Sequence, residues 1–187
     1  MLHANDRVWT ATTTRLGSIT LAATARGLAG VWFEDQRHYP TGALGRREDH
    51  HPTLLRAQQQ LQEYLDGTRS RFTLPLDLDS GTPFQQAVWQ ALLQIPMAST
   101  RSYAAIGGQL GKPTAARAIG AAVGRNPLSI VVPCHRVVGS NGALTGYAGG
   151  LDRKAQLLAL EARMATRHPA SAIAQPPGAA IRRTIAA

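Results

Sequence analysis

The chain of 187 residues carries one cysteine, Cys134, in the run Pro133-Cys134-His135-Arg136-Val137. A single thiol cannot close an internal disulfide, and a thiolate-rich zinc site is excluded, so metal and framework roles fall away and the fold must rest on a core without cross-links. With 44% hydrophobic residues the chain can fill one large core or two small ones. What remains for Cys134 is an inert buried thiol or a nucleophile. Ile130-Val131-Val132 reads as a buried strand, which favours the first. Pro133 cannot donate to a ladder, which puts Cys134 at the end of that strand, where a thiol can meet a ligand. His135 and Arg136 follow, and cationic or proton-accepting neighbours favour the reactive thiolate. On an extended backbone adjacent side chains point to opposite sides, so His135 reaches the sulfur only through a bend or a bridging water.

The formal charge of +9 is unevenly placed. Residues 1–80 hold nine Arg and nine Asp or Glu, whereas residues 81–187 hold eleven Lys or Arg against Asp152 and Glu161 alone. Between Gly81 and Leu151 there are five basic residues and no acidic one. This is the footprint of a surface that meets phosphates, in the same half as the cysteine; a basic but merely soluble domain is the bland alternative. No apolar run approaches the roughly 20 residues that span a bilayer, and Met1 to Val8 lacks a signal-peptide core, so no membrane is expected and a cytoplasmic location is the default.

Strand-like runs at Arg7 to Thr14, Ser18 to Ala25 and Leu28 to Glu34 are separated by turn signals at Leu16-Gly17 and Arg26-Gly27, which predicts antiparallel hairpins. Asp35 to Pro52 reads as a loop, and its His50-His51 pair as solvated rather than metal-binding. Thr53 to Leu65 has helical spacing. Thr82 is the expected N-cap of a helix with Pro83 in its first turn, running to about Ile95. Ser102 to Leu110 and Thr114 to Val123, joined by Gly111-Lys112-Pro113, form a helix-turn-helix pattern. The second helix is nearly bare, with Arg117 its one long side chain near the start, which suits close approach to another backbone or a narrow groove. Gly146 to Gly150 reads as a flexible loop, Asp152 to Arg163 as a helix, and the Ala/Pro-rich tail as disordered. The domains expected are 1–80, an α+β scaffold, and 81–165, with 166–187 as the tail.

Taken together, Gly-Thr-Pro-Phe-Gln-Gln at 81–86, Arg-Ser-Tyr at 101–103, Ala-Arg-Ala-Ile-Gly at 116–120, Arg-Asn-Pro at 125–127, Pro-Cys-His-Arg-Val at 133–137, Gly-Tyr-Ala-Gly-Gly at 146–150 and Leu-Leu-Ala-Leu-Glu at 157–161 resemble the O6-alkylguanine-DNA alkyltransferases, the methylated-DNA–protein-cysteine methyltransferases. The likeness is strong over residues 81–163 and loose before them. It implies an α+β fold: a ribonuclease-H-like N-terminal scaffold without that activity, and a helical, winged helix-turn-helix-like half that binds DNA and holds the active site.

The resemblance further implies a single-turnover DNA repair protein without cofactor or metal. Cys134 would take the alkyl group of O6-alkylguanine irreversibly, with O4-alkylthymine a second candidate substrate. His135, through a water, would draw the thiol proton, and Glu161, on sequence alone an ordinary helix-surface residue, would orient the imidazole. Asn126 matches a hinge residue, although Asn126-Pro127 in isolation is an ordinary helix stop. Guanine O6 lies inside the duplex, so the nucleotide must be flipped. Arg117 would replace it, Tyr103 would press on the neighbouring phosphate, and Thr114, Ala116, Arg125 and Arg136 would also meet DNA through the minor groove. Val137, Tyr147, Ala148 and Val123 would line the base pocket, the carbonyls of Cys134 and Val137 accepting from the guanine amine. A monomer without a fused regulatory domain is expected. Ala98 stands where the family usually has Gly, and Gly108 where it often has a larger residue; neither position is expected to touch the chemistry. The rival readings are a non-catalytic sensor of alkyl damage with the same fold, whose members lack the acceptor cysteine, a cysteine hydrolase, and a DNA-binding regulator that leaves Cys134 and Glu161 unexplained.

Overall fold

The threonine-rich run at 10–14 favours extended backbone, and it begins the sheet of a computed structural model that describes residues 7–167. β1 (Val8–Thr14) pairs antiparallel with β2 (Gly17–Thr24), which pairs antiparallel with β3 (Gly27–Phe33). Both hairpins close through glycines at positive φ, Gly17 at 111° and Gly27 at 146°. At Gly27 a Cβ would stand 2.3 Å from the Pro75 carbonyl oxygen, so glycine is required there. The stretch expected as a plain loop contributes a further strand. β4 (Arg46–Arg47) adds parallel to β1, giving the order β3-β2-β1-β4. Two residues are too few for periodicity to reveal.

α1 (Pro52–Leu65) covers one face of the sheet with Leu54, Ala57, Leu61, Tyr64 and Leu65. The free edge of β3 is occupied by later chain. Leu28 exchanges backbone hydrogen bonds with Pro75 and Asp77, and Val31 with Pro127 and Ser129, at 2.8–3.0 Å. The segment leading to Cys134 is therefore an extension of the first sheet.

α2 (Pro83–Leu93) starts in a capping box, Thr82 accepting from the Gln85 amide and Gln85 from the Thr82 amide. β5 (Arg101–Ser102) leads into α3 (Tyr103–Gln109), capped by the Ser102 hydroxyl, and a turn connects it to α4 (Ala116–Gly124). At Gly107 a Cβ would lie 2.8 Å from the Lys112 carbonyl oxygen, which explains how this turn packs so closely. Trp89 ties α2 to α4 by donating to the Ala122 carbonyl at 2.9 Å. β6 (Val137–Val138) pairs parallel with β5, and α5 (Leu151–Arg167) closes the chain.

Ile130-Val131-Val132 is not a strand but a buried turn, and Cys134 opens a single 3-10 turn, Cys134–Arg136. The apolar run signals burial, and Ile130 at φ 71° breaks the extended path. Gly146 to Gly150 is tied down rather than loose, since Tyr147 and Gly149 are buried, and a Cβ at Gly149 would come within 2.8 Å of Phe33 and Tyr147. α5 continues to Arg167, beyond the expected end at Arg163 and into the stretch expected as tail; the remainder of that tail, 168–187, lies outside the described residues. Among the described residues no helix is long and apolar enough to cross a membrane.

Candidate active site

The 3-10 turn places three consecutive side chains, Cys134, His135 and Arg136, in the interior, each at most 8% exposed. Asn126 follows α4 and fixes this turn from below. Its Nδ2 donates to the Val132 carbonyl at 2.9 Å and to Cys134 Sγ at 3.0 Å, while its Oδ1 accepts from the Leu128 amide at 3.0 Å. One side chain thus holds the bend open and orients the thiol. The backbone strain at Ile130 persists because Asn126 on one side and β3 on the other over-determine the path.

Glu161 is the hub. Its Oε1 accepts from His135 Nε2 at 2.7 Å, from Arg136 Nη2 at 2.9 Å, and from the Tyr64 hydroxyl; its Oε2 accepts from the Ala98 amide at 3.0 Å. Arg136 Nε bridges both oxygens, and its Nη1 donates to the Ile95 carbonyl. Burial alone would push the Glu161 carboxyl up, but the donors His135 and Arg136 more than offset it and hold it well below the usual carboxylate range. Arg136 is therefore no DNA contact. It is 8% exposed and its guanidinium is used up inside the protein.

An ionised Glu161 accepts a proton-bearing nitrogen, which assigns the His135 hydrogen to Nε2 and leaves Nδ1 with a lone pair. Nδ1 is buried and has no hydrogen-bond partner among the described residues. Burial lowers the His135 pKa despite Glu161, so the neutral imidazole is the resting form. Burial also pushes the Cys134 thiol up, to about 11, against the opposing effects of the Asn126 donor and the Lys154 charge. The expectation that neighbouring cations keep a thiolate is corrected: Arg136 is turned to Glu161, and desolvation dominates. At rest the pair is thiol plus neutral imidazole, a nucleophile that needs its base.

Lys154 is fully buried, and its Nζ donates to the carbonyls of Val137 and, at 2.6 Å, Thr145. Burial brings its pKa down to about 8, with a deprotonated Cys134 acting in the opposite direction. The Val137 carbonyl already receives Lys154 and the Cys134 carbonyl receives the Val137 amide. Each keeps a second lone pair for a ligand. Tyr147 packs edge-on to the His135 ring at 6.5 Å with its buried hydroxyl unpartnered among the described residues, and the Ala148 carbonyl accepts from the Arg37 amide. Val123 is buried on the core side of α4, whereas Thr114, Ala116, Arg117 and Arg125 are exposed at and around that helix. Tyr103 is half-buried and donates to the carbonyls of Thr145 and Gly146 at 3.2 and 3.3 Å.

Two family models match the chain: the ribonuclease-like domain of 6-O-methylguanine DNA methyltransferase over residues 8–78, and the DNA binding domain of the same proteins over residues 83–163. The chain belongs to that family. A methylated-DNA–protein-cysteine methyltransferase of Mycolicibacterium paratuberculosis is 48% identical over 79% of this chain and 88% of its own length. The inducible enzyme of that name from Bacillus subtilis is 51% identical over 76% and 83%. Among solved structures, Mycobacterium tuberculosis OGT in complex with DNA superposes with a TM-score of 0.79 at 42% identity, covering 84% of this chain and 94% of that one. The α+β architecture is thus a property the chain shares with this family.

Tyr64, Lys154 and the Ala98 amide were not anticipated in this site. Lys154 was within reach, because Lys154, Leu157, Glu161 and Met164 share the buried stripe of α5, where charged residues need partners. Tyr64 and Ala98 come from distant segments and carry no local signal. Ala98 in particular corrects the expectation that its position stands apart from the chemistry: its φ is 59°, and its amide donates to Glu161 Oε2 at 3.0 Å.

Two outcomes follow from this geometry. Ala98→Gly relieves the left-handed strain and should raise stability by about 0.5–1 kcal/mol in urea unfolding, with the site intact. Glu161→Gln leaves Arg136 buried against a neutral amide and should lower stability at pH 7 by about 3 kcal/mol. The folded pKa of Glu161 lies below its unfolded value, so its contribution is full above the unfolded pKa of about 4.3 and is lost as pH falls from there towards the folded value. Urea midpoints should fall more steeply with acid in the wild type than in the variant, which keeps only the loss from paired carboxylates such as Asp77.

Proposed function

We propose that the chain repairs alkylated DNA by moving the alkyl group from guanine O6 to Cys134, once per molecule. The observation that carries this reading is a lone buried thiol oriented by Asn126, beside an imidazole whose free Nδ1 is backed by an ionised Glu161. In the step itself the thiol proton passes to His135 Nδ1 through one water. The sulfur then attacks the alkyl carbon, and an S–C bond forms as the C–O6 bond breaks. The bonding pair stays on O6, and guanine regains its proton at N1. Glu161 stabilises the imidazolium that forms transiently.

A thioether is a stable product, and no second thiol exists to resolve it, which supports a stoichiometric reaction. The thiol is 3% exposed, so a base stacked in a duplex must leave it to reach Sγ. Flipping into a pocket that Val123, Val137, Tyr147 and Ala148 would border meets that need. Arg117, exposed on the otherwise bare α4, would fill the gap, with Thr114, Ala116 and Arg125 meeting the DNA and Tyr103 pressing on the neighbouring phosphate. Alanines suit a minor groove about 6 Å wide. The protein acts on DNA as a monomer in this reading.

Intact-protein mass after incubation with duplex containing O6-methylguanine should show one methyl adduct, localised to Cys134, with transfer levelling off at one methyl per chain; repeated turnover overturns the reading. Cys134→Ser should bind the duplex and form no adduct. A duplex with O4-methylthymine in the same assay decides the second substrate. Arg117→Ala should slow repair of duplex roughly five- to a hundredfold, a loss of about 1–3 kcal/mol, while sparing the reaction with the free alkylated base. Equal losses on both substrates would assign Arg117 to the fold instead of to flipping.

A further inference from the structure

Tyr64 belongs to the first half of the chain, yet its hydroxyl is buried at the heart of the second. It sits in the last turn of α1, 1% exposed, with its ring tilted against Phe72 at a centroid distance of 5.1 Å. The hydroxyl donates to Glu161 Oε1, the same oxygen that accepts from His135. A phenylalanine would fill this volume equally well and would not require a buried hydroxyl to find a partner. The groups facing the Glu161–His135 pair come from every neighbouring element: Tyr64 from α1, the Ala98 amide from the segment after α2, Cys134 and Arg136 from the 3-10 turn, Tyr147 from the loop before α5, and Lys154 from α5. Beside His135 itself, Tyr64 is the neutral side-chain donor to the carboxylate among the described residues.

Resting on the reading of His135 as the base, we infer that Tyr64 is a positioning residue that sets the proton affinity of His135 through Glu161, so that the sheet-bearing half governs the pH range in which Cys134 is activated. The physical link is the sharing of one negative charge. Each hydrogen bond donated to Oε1 disperses charge that would otherwise hold the imidazolium. With the Tyr64 hydroxyl present, Glu161 pulls less strongly on the Nε2 proton, and Nδ1 remains unprotonated to lower pH. The phenol keeps its own proton throughout, because burial and the adjacent carboxylate push its pKa far up. It is a constant donor, whereas His135 is the member of the pair that changes state. Tyr64 also helps to fix the carboxylate rotamer, holding Oε1 while the Ala98 amide donates to Oε2.

The test is the rate of Cys134 alkylation, measured by intact mass with a free benzylated guanine, across pH 5 to 9. Tyr64→Phe should move the acid limb upward by about half a unit to one unit, so that rates on that limb fall roughly three- to tenfold relative to the alkaline plateau. In the Glu161→Gln background the same substitution should leave the limb where it is, since the hydroxyl acts only through the carboxylate. Site-specific 3-fluorotyrosine at position 64 keeps the ring and strengthens the donor, and should move the limb the opposite way; it decides the matter if the phenylalanine variant does not fold. A wild-type profile shared by Tyr64→Phe and the fluorinated protein, with adduct formed, overturns the role of Tyr64 alone. Absence of any Cys134 adduct in the wild type overturns the proposed activity and this role with it.

Discussion

One buried carboxylate gathers the molecule. Glu161, fully enclosed, receives a phenol from α1, a backbone amide from the segment after α2, and an imidazole and a guanidinium from the 3-10 turn. A charge in that position is tolerable only when every donor is in place. The same requirement that makes the carboxylate expensive to bury makes the geometry of its partners definite, and His135 inherits its orientation and tautomer from that arrangement. Fold and chemistry meet at one atom, Oε1.

The second constraint is the enclosure of the thiol. Desolvation holds Cys134 protonated near neutral pH, with its pKa near 11, and so protects it from casual oxidation and alkylation. Activation must therefore be local and must coincide with the arrival of a ligand. Asn126, Lys154 and the neutral His135 provide that bias without creating a resting thiolate. Lys154 serves two ends, since its ammonium bridges the carbonyls of Val137 and Thr145, fastening both ends of the loop that carries Asn141-Gly142, and lies close enough to the sulfur to favour its charged form.

The strands, the capped α2 and the α3–α4 pair were legible in the sequence to within a few residues, because β-branched runs, Gly turns and Thr-x-x-Gln capping are local signals. Residues 130–132 misled for an instructive reason. Three β-branched side chains report burial, and burial was equated with a strand, although Asn126 and the edge of β3 impose a strained turn instead. Cys134, His135, Asn126 and Glu161 were named together from motif order and lie together in the structure, whereas Arg136, expected at the DNA from the same resemblance, is turned inward. Its burial depends on Glu161, twenty-five positions away, and no neighbour in sequence announces that. Tyr64 was invisible for the same reason, at a separation of ninety-seven.

The lone thiol has a use apart from any reaction with DNA. Because Cys134 is the single sulfhydryl in the chain and is only 3% exposed, a thiol reagent too large to follow the path of a free base can label it only when this region opens. The labelling rate, with excess reagent, counts those openings without any introduced probe. A pulse of reagent would read out how often the segment between α4 and β6 lifts away from the β3 edge, and comparison with global unfolding would separate breathing of the site from loss of the fold. The residue that ends the protein's working life is also its internal gauge of motion.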